Sequence, residues 1–164
     1  SQFYKNNQNV IDWYSISSGS KKSWVSTNIA DVLTSGHNIS LELYPEIIKL
    51  LRFIKHLNLG YAFTNIEHNG ENSEYRNLSH YLKHQMSYGI KYNLPFGISR
   101  SWYVRYEQPA SFDNRTIVDT QIHYQIWRIE STLNISNVFN VEYEDIEDVT
   151  LPGRWISFSL RFNL

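Results

Sequence analysis

GRWISFSLRFNL, residues 153–164, separates into two lists when read with a period of two. Ile156, Phe158, Leu160, Phe162 and Leu164 fall on one face; Trp155, Ser157, Ser159, Arg161 and Asn163 fall on the other. Successive side chains of a strand point to opposite sides, so this stretch predicts a strand with one apolar and one wet face. A soluble sheet produces the same alternation. What separates the two cases is how often the pattern returns upstream and where the charges sit when it does.

It returns along most of the chain. Ile39, Leu41 and Leu43 alternate with Asn38, Ser40, Glu42 and Tyr44. Leu57, Leu59, Tyr61 and Phe63 alternate with Asn58, Gly60, Ala62 and Thr64. Within 78–93, Leu82, Met86, Tyr88, Ile90 and Tyr92 oppose Lys83, Gln85, Ser87, Gly89 and Lys91. Trp102, Val104 and Tyr106 oppose Tyr103, Arg105 and Glu107, and Ile122, Tyr124 and Ile126 oppose Gln121, His123 and Gln125. Leu133 and Ile135 oppose Thr132 and Asn134. With a first strand over 2–16, carrying a possible bulge at KNNQN, and a second over 24–44, about eight strands are expected.

Polar clusters divide these strands into hairpins. Long connections are expected at 17–23, 67–77, 108–116 and 141–152, and short ones at 45–51, 93–97 and 127–129. Residues 45–51 have a proline start and partial helical spacing, which predicts a short helical or irregular turn. Strict alternation of long and short connections is what an outer-membrane barrel shows, with long loops outside and short periplasmic turns. Charges on the apolar faces (Lys55, Arg100, Arg128) fall at the short-turn ends, where they can snorkel. The opposite faces carry Lys83, Lys91, Arg105, Glu107, Glu130, Arg161 and many amides, as a water-filled or plugged lumen requires. The expectation is an all-β, antiparallel up-and-down transmembrane β-barrel arrangement. A soluble β-sandwich binding module remains an alternative at this point.

Bulk composition limits the other classes. Basic and acidic residues number 15 and 16, so no net field draws the chain to nucleic acid. Charged residues make up 19% of the chain and aromatics 15%, led by 12 Tyr, which suits a β protein or the aromatic belts of a membrane interface. Cysteine is absent, which removes disulfide and thiol chemistry. No apolar run reaches the length of a transmembrane helix, and the start SQFYKNNQNV is unlike a signal peptide.

Three stretches carry a family likeness. NVIDWYSI (9–16) followed by WVSTNIADVLTSGHNISLEL (24–43) resembles the "IDW … W…N…G.E" passage of TonB-dependent outer-membrane receptors, with His37 and Asn38 departing from its usual small residue and Glu. LNISNVFNVEYEDIEDVTLPGRWISFSLRFNL (133–164) resembles their closing "NLFN…PGR" pattern and final amphipathic strand. SHYLKHQMSYGIKYNLPFGISRSWYVRYEQP (79–109) looks like a barrel repeat of cobalamin-type receptors. The resemblance implies that residues 1–164 are the C-terminal segment of a 22-stranded barrel, with the plug domain lying outside this chain. It also implies uptake of cobalamin or a ferric siderophore at the bacterial outer membrane. The implied partners are outer-membrane lipid, the remaining barrel strands, and the TonB complex through the plug. A self-contained eight-stranded barrel with a structural or adhesion role is the alternative within the membrane class.

No catalytic constellation emerges, so the expectation is a non-enzyme without cofactor. His123, Asp119 and Ser131 are too loosely spaced to stand as a hydrolase site. His80 and His84, about 13 Å apart on a strand, cannot share a metal ion. The acidic run Glu142, Glu144, Asp145, Glu147 and Asp148 lacks the glycine and spacing of an EF-hand and reads as a solvated loop. Candidate ligand contacts are the aromatic and basic residues of the long loops: Trp24, Tyr75, Arg76, Phe112, Arg115 and Tyr143. Phe158, Leu160, Phe162 and Leu164 look like the insertion signal read by barrel-assembly machinery.

Overall fold

The computed structural model describes residues 1–164 other than 19–20, 46–47, 49–50, 70–74, 79, 147–148 and 164. Its strands are β1 (Gln2–Ser18), β2 (Lys21–Leu43), β3 (Ile54–His68), β4 (Leu82–Leu94), β5 (Ile98–Pro109), β6 (Arg115–Ile126), β7 (Ile129–Ser136), β8 (Glu144–Ile146), β9 (Val149–Thr150) and β10 (Trp155–Phe162). Eight of them form one antiparallel meander in the order β1-β2-β3-β4-β5-β6-β7-β10, and β8 and β9 pair apart as a small hairpin. Among the described residues β1 and β10 do not pair with each other, so the sheet is open at both edges.

Register fixes which residues share a face. One row runs Leu43, Leu57, Ile90, Trp102, Thr120, Ile135, Ile156, and its neighbour runs Leu41, Leu59, Tyr88, Val104, Val118. On the other face His56, Lys91, Ser101, Gln121, Asn134 and Ser157 align, as do Ala62, Gln85, Glu107 and Arg115. Cross-strand neighbours match in polarity along these rows, with Arg105↔Ile117 and Arg100↔Ile122 as exceptions, so a one-residue slip would turn the apolar rows to the wrong side. Among the described residues the apolar rows are open at the outer strands, where Ile39 is 63% exposed, Phe158 64% and Phe162 62%, whereas Val118 and Thr120 in the same rows are buried.

The alternation breaks at one place. Ile29 and Val32 are both buried in the same cluster although three residues separate them, a spacing that puts them on opposite faces of a regular strand. The β1–β2 ladder skips the pair Asn9 and Ala30, and Asn9 holds φ +57°, a left-handed conformation that asparagine tolerates better than most residues. Beyond this point Ile11 and Trp13 turn outward, while Val10 and Tyr14 pack with Ile29, Val32, Tyr75, Ile66 and Leu78. The polar KNNQN run thus marks a reversal of faces at its last residue. The small core it creates lies where the β1–β2 ribbon passes the end of β3, since Val32 pairs with His68.

Two boundaries and the facing of one residue differ from the sequence expectation. The polar segment 17–23 contributes mostly to strand, because the ladder continues to Ser18↔Lys21. Polar composition alone does not tell a loop from a ribbon, because the ladder of a polar ribbon satisfies its backbone as well as water does in a loop. Segment 141–152 contains the β8–β9 hairpin. Lys55 falls at a register shift between Ile54 and His56 and lines the polar side beside His56, not the apolar face. In 45–51, i+3→i bonds from Ile48 to Pro45 and from Leu51 to Ile48 give tight 3-10-type turns.

The NVFN…PGR stretch is a clasp. β7 stops at Ser136 because Asn137 and Asn140 take φ +51° and +55°. The Asn137 side chain donates to the Val141 carbonyl (2.8 Å) and accepts from the Val141 amide (2.9 Å). The Asn140 side-chain oxygen accepts from the Arg154 amide at 2.7 Å, which ties the turn to the start of β10. A Cβ at Gly153 would collide with that same Asn140 oxygen. Gly153→Ala is therefore expected to destabilise the β7–β10 pair by about 1–3 kcal/mol, read as a lowered midpoint in chemical denaturation. An unchanged midpoint would remove the clasp from the account.

Candidate functional site

At the end of the sheet where the longer connections gather, a hollow of about 240 Å³ is lined by His80, Tyr81, Leu82, Arg105, Glu107, Pro109, Phe112, Arg115, Tyr143 and Asp145. β5 and β6 supply its charged wall because Glu107 and Arg115 are ladder partners on the polar face. Arg115 is its organising group. Its Nε donates to Glu107 at 2.6 Å, one terminal nitrogen donates to the Glu144 carbonyl at 2.9 Å, and the other meets the Asp145 carboxylate. Its guanidinium also lies over the Tyr143 ring, 4.4 Å from the centroid.

The network extends inward. Arg105 reaches Glu107 at 3.2 Å and Asp119 at 3.8 Å, and Asp119 accepts from the Asn137 amide at 2.8 Å. The β8 segment is therefore pinned to the polar wall by Arg115, and the Asn137 turn by Asp119. Aromatic surface completes the hollow: the His80 ring tilts against Phe112 with 5.6 Å between centroids. Such a mixture of aromatic planes, one partly exposed guanidinium and paired carboxylates suits a polar ligand with flat groups.

The six loop candidates divide into two groups. Phe112, Arg115 and Tyr143 meet at this hollow. Trp24, Tyr75 and Arg76 belong to the β1–β2 ribbon and the segment folded on it: Arg76 lies over Trp24 at 5.4 Å, and Tyr75 bridges to Tyr14. Tyr75 is buried, with its edge against His68, so it serves packing rather than a ligand surface. Arg115 is likewise buried, and each of its three guanidinium nitrogens already has a protein partner. Sequence reading missed His80, Tyr81, Arg105, Glu107 and Asp145 as members of one hollow. The available signal was the opposite charge of Glu107 and Arg115 across a hairpin.

Other constellations do not assemble. Asp119 binds Asn137, His123 bonds Thr132 at 3.1 Å, and the Ser131 hydroxyl donates to the Tyr124 carbonyl at 3.4 Å from the opposite face. His84 bonds the Tyr61 hydroxyl at 2.9 Å, away from His80. Among the described residues no three metal-ligating side chains gather; Glu147 and Asp148 of the acidic run lie outside the described residues. No described helix is long and apolar enough to cross a membrane, which says nothing about strands.

Two further features lie away from the hollow. At the short-turn end the polar face forms a wider depression of about 910 Å³, lined in part by Tyr44, His56, Lys91, Asn93, Ser99 and His123. There the Tyr44 hydroxyl donates to Glu42 at 3.1 Å, and this bond, with the carboxylate charge, raises the Tyr44 pKa. On the apolar face Phe158, Leu160 and Phe162 of the closing strand stand exposed; Leu164 lies outside the described residues.

A search against models of known protein families and against curated proteins finds no match.

Proposed function

We propose that this chain is wall and outer loops of a TonB-dependent outer-membrane receptor, acting in the uptake of cobalamin or a ferric siderophore. One observation carries the reading: a long antiparallel sheet with exposed apolar rows on one side and a hydrogen-bonded polar face on the other. In water, such a face is an aggregation surface; against lipid it is the expected exterior. The closing motifs of the sequence supply the family, and the aromatic hollow at the long-connection end supplies a place for ligand contact. The role is physical rather than catalytic. Loops hold the ligand outside, a plug outside this chain moves, and the polar wall lines the path.

The open edges fit the same reading, since unpaired backbone groups are not tolerated in hydrocarbon and further strands would satisfy them. An eight-stranded barrel closed on itself would need a β1–β10 ladder, which the described residues lack. The test is reconstitution. Co-refolded in liposomes with the strands that complete the barrel, the chain is expected to float with the vesicles and to resist alkaline extraction. Leu41→Arg is expected to weaken insertion by about 2–4 kcal/mol, the cost of a cation near the centre of a lipid-facing strand. A detergent-free, monodisperse chain that stays out of vesicles would overturn the membrane role.

A further inference from the structure

Toward the short turns the apolar rows are almost free of charge, and the exception has a definite place. Among the described ladder residues that face outward with Ile39, Leu41 and Phe158, Asp31 and Glu67 stand toward the β3–β4 connection, and Arg100 is the single Lys, Arg, Asp or Glu nearer the short turns. It is the third residue of β5, close to the Pro95–Gly97 turn. Its ladder partners are Tyr92 and Ile122, and no acidic side chain pairs with it among the described residues. The guanidinium lies over Trp102 at 4.4 Å from the ring centroid, and its buried Nε has no hydrogen-bond partner. Stacking holds the cation flat on the sheet while its donors lie in the plane of the group, around its edge. A second Arg–Trp stack, Arg128 over Trp127 at 5.2 Å, marks the same end, where Phe96 and Trp127 are 89% and 81% exposed.

A guanidinium on a lipid-facing strand, stacked, unpaired and next to the interface, matches an oxyanion in charge and geometry, and in the headgroup layer that oxyanion is a phosphate. We propose that Arg100, with Trp102 and Tyr92, forms a binding site for the phosphate of an anionic phospholipid in the leaflet at the short-turn end. The acyl chains then lie along Ile122, Leu133 and Phe158, the residues that continue the Arg100 row. This rests on the membrane reading above. The site gives that leaflet a fixed lipid neighbour and sets the depth at which the sheet rests.

Trp102 is a built-in reporter. The full chain, co-refolded with the strands that complete the barrel, is reconstituted in phosphatidylcholine vesicles containing a minor fraction of acyl-brominated phosphatidylglycerol, or of brominated phosphatidylcholine as the reference. Phosphatidylglycerol is expected to enrich about fivefold near Trp102, the gain for one cation at an anionic surface. The excess quenching should vanish in Arg100→Gln and be absent from Trp102→Phe. Arg100→Gln that floats normally but keeps the full lipid preference overturns the site and leaves the membrane reading standing. Wild-type chain that fails to float overturns both. Loss of the preference on adding inorganic phosphate, with the ionic strength held constant, would make this a free-phosphate site and overturn the lipid assignment.

Discussion

Replacing Arg115 by alanine is expected to destabilise the long-connection end of the sheet by about 3–5 kcal/mol, the usual cost of removing one member of a buried ion pair. Glu107 has 5% of its side chain exposed and Arg115 6%, so water does little to screen the charge that remains. The variant leaves Glu107 with only Arg105 and frees the Glu144 carbonyl and the Asp145 carboxylate. Asp145 is half in solvent and contributes far less than Glu107. The double change Arg115→Leu with Glu107→Leu is expected to recover most of the loss, because an apolar pair of similar volume avoids the desolvation cost. Chemical denaturation in detergent separates the two variants. Protease cleavage near Asp145 should rise in both, since both lose the strut that holds β8. A single Arg115→Ala costing less than about 1 kcal/mol would mean that the network is a surface ornament.

That network also shows why the site was only partly legible in the sequence. Arg115 and Tyr143 were readable as loop residues of the right chemistry, but not as partners, since the register of β5 against β6 joins residues eight apart only once the 108–116 connection is known. Their role differs as well: one charged side chain that satisfies two carboxylates and a carbonyl has little left for a ligand. The strands were readable wherever one face is apolar throughout, as in Leu57–Phe63 or Ile156–Phe162, because periodicity alone determines the facing there. The β1–β2 ribbon was not. Asn9 and Ala30 reverse the faces, so Val25, Ile29 and Val32 give no consistent two-residue period. Polar composition at 17–23 suggested a loop for the same reason, since a ribbon built of polar residues has no apolar stripe to betray it.

Asp12 carries the second large expected effect. Its side chain is fully buried, and its carboxylate accepts from three backbone amides: Trp13 at 2.7 Å, Asn77 at 3.0 Å and Leu78 at 2.9 Å. Two of these come from a segment more than sixty residues downstream, so a single carboxylate ties the β3–β4 connection to β1. The Arg76 amide donates to the Trp13 carbonyl at 2.7 Å beside it, and Tyr75 enters the cluster of Ile29 and Val32. Hydrogen bonds to a charged group contribute about 1.5–3 kcal/mol each, and a buried amide left without an acceptor pays its desolvation in full. Asp12→Ala is therefore expected to cost about 3–5 kcal/mol, localised to opening of 75–78 rather than to the sheet. Asp12→Asn keeps one acceptor oxygen for the Trp13 and Asn77 amides but turns an amide group toward the Leu78 N–H, so about half of that loss is expected. Hydrogen exchange at Asn77 and Leu78 reads the effect directly: exchange should accelerate strongly in Asp12→Ala, moderately in Asp12→Asn, and not at all at Tyr88 in the middle of β4. Unaltered exchange at Leu78 in the alanine variant would show that the Tyr75 cluster alone holds the segment, and that the carboxylate merely occupies the space.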